Sequence, residues 1–161
     1  MSSDEAAGDY QQLKFRPLGP EDRESVHTLY EELRNNYRYP FGGDWTRDKL
    51  KKELVGCKGY GAFDGASQLA AFILYRPNPE ALEIMLLATR FSLQGHGIME
   101  LLFKSLLNNS GPSPKFWLEV HIENDPALAL YRKLGFKEQG SRINYYHDGK
   151  AALLFEYKPL Q

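Results

Sequence analysis

Glu119, Asn124 and Tyr131 lie within one short stretch, Trp117 to Phe136 (WLEVHIENDPALALYRKLGF), and supply a carboxylate, an amide and a phenol at spacings that suit acyl transfer. Leu118, Val120 and Ile122 alternate with Trp117, Glu119 and His121, which predicts a strand with one apolar face and Glu119 on the other. Asp125 followed by Pro126 predicts a helix start with Asp125 as the N-cap, and Gly135 predicts its stop. Between them Ala127, Leu130, Tyr131 and Leu134 share one helical stripe, so Tyr131 is expected on the buried side, where its hydroxyl needs a partner.

A second segment, Phe91 to Leu102 (FSLQGHGIMELL), sets Gly95 and Gly97 between an apolar strand and a helix. Such a turn aims backbone N–H groups and the positive end of the helix at an anion. Nucleoside triphosphate hydrolysis is disfavoured, because Gly97 is followed by Ile98-Met99 rather than Lys-Ser/Thr. A dinucleotide fingerprint needs a third glycine where Glu100 stands.

The elements that must position these residues can be read from pattern. Leu13 to Leu18 reads as a first strand, and Pro20-Glu21 opens a helix whose Val26, Leu29, Tyr30 and Leu33 share a face and which ends near Asn36. Tyr37 to Asp44 (YRYPFGGD) is irregular by composition and reads equally as a substrate-facing loop or a packed one. A short helix from Thr46 to Val55 follows. Tyr60 to Phe63 and Leu69 to Tyr75 flank Asp64-Gly65, while Ile143 to Tyr146 and Ala151 to Tyr157 flank Asp148-Gly149, so two hairpins are expected. Leu82 to Thr89 reads as a central strand covered on both faces, and Ile98, Leu101, Leu102, Ser105 and Leu106 mark a long amphipathic helix. The order is strand, two helices, three strands, helix, strand, helix, two strands: an α/β or α+β domain on a mixed sheet.

At 161 residues and 18.5 kDa the chain suits one domain, expected over residues 13–161 behind a flexible polar tail at 1–12. A net charge of −1 gives no electrostatic support for nucleic-acid or membrane binding. The lone Cys57 excludes an internal disulfide and fits a cytoplasmic setting, and no histidine spacing marks a metal site.

Gln94-Gly95-His96-Gly97-Ile98-Met99 resembles the Gln/Arg-x-x-Gly-x-Gly/Ala pyrophosphate loop of the GNAT superfamily of acetyl-CoA-dependent N-acetyltransferases, with Met99 in place of the usual Gly or Ala. Asn124, Ala127, Leu130, Tyr131, Lys133, Gly135 and Phe136 resemble the superfamily's N-x-x-A-x-x-L-Y-x-K-x-G-F pattern. Within it, WLEV, the RINYY segment at Arg142 to Tyr146 and the Pro40 to Thr46 passage are most similar to the ribosomal-protein-alanine N-acetyltransferases (RimI type), although Phe41 to Asp44 are extra residues. The resemblance implies a GNAT-like mixed, mostly antiparallel sheet of about seven strands flanked by about four helices.

For the site, the resemblance implies acetyl-CoA as cosubstrate and no metal. Leu87, Ala88 and Thr89 would pair with the pantetheine arm and supply an oxyanion contact. Gln94, Gly95, His96, Gly97, Ile98 and Met99 would meet the pyrophosphate, and Asn124 the pantetheine amide. Tyr131 would protonate or hydrogen-bond the leaving sulfur and Glu119 would deprotonate the amine through water. His121 shares a face with Glu119 and is a candidate to assist it; His27 and His147 read as surface residues; Tyr39, Tyr145 and Tyr146 are candidates to line a peptide cleft. The expected acceptor is a protein or peptide N-terminus. A polyamine, amino sugar or amino acid, or a non-catalytic acyl-CoA-binding module, are the alternatives, and monomer and homodimer both stay open.

Overall fold

The computed structural model describes residues 12–36, 46–112 and 114–159. The expected tail up to residue 11 and the Tyr37 to Asp44 loop with Tyr39 lie outside them.

The strands and helices follow in the order predicted from pattern: β1 (Lys14–Pro17), α1 (Arg23–Asn36), α2 (Arg47–Gly56), β2 (Lys58–Phe63), β3 (Leu69–Pro77), β4 (Leu82–Thr89), α3 (Ile98–Asn108), β5 (Phe116–His121), α4 (Asp125–Lys133), β6 (Lys137–Arg142) and β7 (Ala152–Tyr157). Pro20–Asp22 and Phe91–Leu93 form single 3-10 turns before α1 and after β4. One seven-stranded sheet runs in the order β1-β2-β3-β4-β5-β7-β6, and only β4 and β5 pair in parallel.

Each sheet face carries its own apolar layer. On one, Ile98, Met99, Leu102, Phe103 and Leu106 of α3 and Leu128 and Tyr131 of α4 pack on Phe116, Leu118 and Val120 of β5. On the other, Val26, Leu29, Tyr30 and Leu33 of α1 and Leu50 of α2 pack on Phe72 and Leu74 of β3 and Leu86 and Ala88 of β4.

Several local expectations are corrected. The buried stripe of α3 is rotated, so Met99 and Phe103 are inside while Leu101 is 49% exposed. Ile122 lies past the end of β5 and is exposed, and Leu128 takes a fully inward place on α4. His27 is buried rather than on the surface, because it flanks Val26 and Tyr30 on the sheet-facing side of α1; its Nε2 has no hydrogen-bond partner. The partner of β7 is Lys137–Arg142, not Ile143 to Tyr146. That strand, KEQGSR, has no apolar residue, as an exposed edge strand allows, and so leaves no alternation to read. The β2–β3 hairpin forms, but as a longer connection in which Asp64 Oδ1 accepts from the N–H groups of Ala66 and Gln68 and Ser67, at φ 61°, takes the left-handed conformation.

The helix carrying Tyr131 is fixed at both ends. Its N-cap is Asn124, one residue before the expected Asp125, with Oδ1 accepting from the Ala127 N–H at 3.3 Å. Its stop is Gly135 at φ 97°, where the Phe136 N–H returns to the Tyr131 carbonyl at 2.9 Å. A Cβ at Gly135 would force an L-residue into that conformation and stand 3.4 Å from the Tyr157 ring. Gly135→Ala is expected to destabilise the protein by about 1–2 kcal/mol in urea denaturation. A change under about 0.5 kcal/mol would contradict this account of the helix stop.

Candidate active site

The parallel pairing of β4 with β5 stops after Leu82↔Phe116 and Glu83↔Trp117. Just beyond, β4 carries a bulge: Leu74 of β3 faces Leu86 and Tyr75 faces Ile84, so Met85 is an extra residue. A bulge bends its strand and increases its twist. Here the strand leans away from β5, and the rest of β4 and β5 line a cleft of about 500 Å³. That volume suits a ligand with a long arm. Leu87, Ala88 and Thr89 line it from β4, and Leu118, Glu119, Val120 and His121 from β5.

On the α3/α4 side the cleft meets the glycine turn. Gly95 and Gly97 sit at φ 80° and 77°, and a Cβ on either would find no atom within 4 Å, so this turn borders open space. Gly97 is the N-cap of α3, and the first-turn N–H groups of a helix have no carbonyl of their own helix to bond. Gln94 braces the turn, its Nε2 donating to the Thr89 carbonyl at 3.1 Å. At the first turn of α3, Glu100 takes the Lys133 ammonium at 2.7 Å, tying α3 to the end of α4. Asn124 is buried with Oδ1 committed to the cap, which leaves its Nδ2 as the donor available to the cleft. Tyr131, 8% exposed, lines the same wall. Burial, with the neighbouring Tyr146 as the lesser cause, pushes its phenol well above the ordinary tyrosine range, so it stays protonated at physiological pH.

Strand alternation sends Glu119 to the opposite sheet face, toward α1. Its Oε1 accepts from Arg142 Nε at 3.0 Å, and the Tyr145 hydroxyl hydrogen-bonds the same carboxylate. That hydrogen bond, followed by burial, raises the Tyr145 phenol. His121 is engaged on both nitrogens: Nδ1 accepts from the Glu123 N–H at 3.0 Å, and Nε2 lies 2.6 Å from Asp148 Oδ2. With Nδ1 accepting, the ring proton rides on Nε2 and is donated to Asp148. The Asp148 carboxyl is held below its usual range by the Lys150 N–H and then by His121. The Tyr146 ring lies 4.8 Å from that of His121, and burial first, then Tyr145, Glu119 and Asp148, push its phenol up to about 12.

The acetyltransferase (GNAT) family model matches residues 16–136. The chain belongs to this family. Among its relatives, the N-alpha-acetyltransferase RimI of Mycobacterium tuberculosis (strain ATCC 25618 / H37Rv) is 35% identical over 115 residues, covering 66% of this chain and 71% of that protein. The ribosomal-protein-S18-alanine N-acetyltransferase from Escherichia coli shares the fold with a TM-score of 0.74 at 21% identity, over 91% of this chain and 94% of the other. Arabidopsis thaliana NAA60 in complex with acetyl-CoA does so with a TM-score of 0.71 at 19% identity, over 91% and 98% of the two chains.

In this GNAT acetyltransferase, Glu119, Leu87, Ala88, Thr89, Gln94, Gly95, Gly97, Ile98, Met99, Asn124 and Tyr131 all line one cleft, and His96 does not. Met99, at the first turn of α3, is also buried in the apolar layer under that helix. His121 lines the same cleft and links β5 to the β6–β7 connection through Asp148. Arg142 and Tyr145, the partners of Glu119, are not evident from spacing; the one signal for them is the RINYY resemblance. Among the described residues no group of three or more His, Cys, Asp or Glu side chains is placed to hold a metal ion, and no helix is long and apolar enough to cross a membrane.

The two ends of the Asn124 amide are separable. Asn124→Ala is expected to cost about 1 kcal/mol of stability through the lost cap, whereas Asn124→Asp, which keeps a capping oxygen, stays within about 0.5 kcal/mol of the parent. Thermal or urea unfolding of the two variants checks this, and equal losses would dissociate Asn124 from the cap.

Proposed function

We propose that the protein transfers the acetyl group of acetyl-CoA to the α-amine of a protein or peptide N-terminus, by direct attack in a ternary complex. The carrying observation is that one continuous cleft has Tyr131, Asn124 and the glycine turn on one sheet face and Glu119 on the other. The RimI relative supports the same acceptor class.

The residues present fit acetyl-CoA: left-handed glycines leave open space at a helix N-terminus, and an amide donor and a protonated phenol follow along one wall. When bound, acetyl-CoA supplies an activated acetyl thioester. The N–H groups of the Gly95–Met99 turn would hold its pyrophosphate, Asn124 Nδ2 would donate to a pantetheine carbonyl, and an N–H of the Leu87–Thr89 stretch would face the developing oxyanion. Tyr131, kept protonated by burial, would donate toward the sulfur. Glu119 would receive the amine's proton through water. An α-amine titrates near 8 against about 10.4 for lysine, so a weak carboxylate base suffices for an N-terminus. The single cysteine suits a cytoplasmic enzyme.

A panel of N-terminal peptides, internal-lysine peptides and polyamines incubated with acetyl-CoA tests the acceptor. Transfer to peptide α-amines is expected, and transfer only to free small amines would sink the reading.

Tyr131→Phe should lower kcat by about 100-fold or more with acetyl-CoA affinity kept. Because the Tyr131 phenol is raised, the parent enzyme's rate should show no fall assignable to this group up to pH 10. An unaltered kcat in Tyr131→Phe would make the phenol a bystander.

A further inference from the structure

The carboxylate proposed to face the acceptor is already occupied. Arg142 Nε donates to Glu119 Oε1 at 3.0 Å, and the Tyr145 hydroxyl supplies a second hydrogen bond. The two sides of the ion pair differ in access: the Arg142 side chain is 53% exposed and that of Glu119 only 16%. Arg142 ends β6, an edge strand without an apolar anchor, and its guanidinium lies 6.0 Å from the Tyr145 ring centroid. A cation so placed can leave for water with little desolvation to overcome. A half-sheltered carboxylate gains modestly from a cation beside it.

An amine acceptor reaches this place mostly as an ammonium at neutral pH. It brings the same charge that Arg142 holds there, so the two cations repel each other and compete for the one half-sheltered carboxylate. Resting on the N-terminal acetyltransferase reading above, we propose that Arg142 is a positioning residue whose guanidinium stands in for the acceptor's ammonium, and that acceptor binding is a cation exchange on Glu119. Tyr145 stays bonded through the exchange and keeps the carboxylate aimed. Glu119 is therefore paired by Arg142 before acceptor entry and by the ammonium, through the bridging water, after it, until it takes the ammonium's proton; the strength of the Arg142 pair enters the acceptor's apparent affinity.

The test measures KM for an N-terminal peptide and for acetyl-CoA in Arg142→Gln, with Arg142→Met as a second neutral variant and Arg142→Lys as the charge-retaining one. An exposed ion pair is worth up to about 1 kcal/mol, so the neutral variants should lower peptide KM about two- to fivefold and leave acetyl-CoA KM unchanged. Arg142→Lys should return peptide KM to the parent value. In a Glu119→Gln background, Arg142→Gln should no longer lower it. A peptide KM that rises or stays constant in both neutral variants, with unchanged melting temperature, overturns the exchange, and so does an equal fall in the Glu119→Gln background. The base role is scored separately: Glu119→Gln with parental kcat refutes that part of the functional reading, while a peptide KM lowered by Arg142→Gln still supports the exchange.

Discussion

The site depends on a sheet that comes apart at one seam. β4 and β5 are its only parallel neighbours, and they share two paired positions before Met85 bulges out of register and the strands part. A flat continuation would give the β4 backbone a strand partner and remove the cleft. The bulge also reverses the alternation of β4: Ile84 belongs to the layer under α3 and α4, whereas Leu86 and Ala88 belong to the layer under α1. The apolar run therefore feeds both cores, and the seam is held open by packing on either side. Helix α3 covers one face and α1 the other, so closing the gap would disrupt two apolar layers at once.

The same seam explains why the chemistry divides by sheet face. Tyr131 comes from α4 on one side, and Glu119 alternates toward the other. A group held between them would be met from both faces, with a phenol and a carboxylate apart and each set in its own surroundings. Burial keeps the Tyr131 phenol protonated. On the other face two donors keep Glu119 oriented, and the proximity of Tyr145 and Glu119 helps raise the Tyr146 phenol.

The glycine turn and the helix stop beside the cleft were legible in the sequence because their logic is local. Gly95, Gly97 and Gly135 act through backbone conformation, which leaves marks at fixed spacing, whereas the cap fell on Asn124, one residue before the expected Asp125. Element order was legible for the same reason, since periodicity and turn residues report on neighbours in the chain. What could not be read depends on distant segments. The bulge at Met85 is a property of two strands together, the burial of His27 follows from how α1 rolls onto the sheet, and the all-polar β6 is a strand only because β7 offers an edge. Arg142 and Tyr145 are invisible as partners of Glu119 until the β6–β7 connection folds back over β5.

That connection is held differently from the rest of the site. His121–Asp148, Lys150–Glu123 and Arg142–Glu119 pin it to β5 and the turn after it at 2.6, 3.2 and 3.0 Å, each through a partner about half exposed. Ile143, its first residue, is 84% exposed. Exposed polar contacts are individually weak, typically under about 1 kcal/mol each. The cofactor wall, by contrast, is backbone geometry backed by buried Phe103, Phe116 and Leu118, where a substitution disturbs the core. Under the proposed function, acceptor recognition would sit on the part of the fold that a few surface changes can rebuild without destabilising the domain, while the transferring machinery would sit on the part that they cannot reach. Such a division allows one scaffold to keep its acetyl-transfer chemistry and exchange its amine.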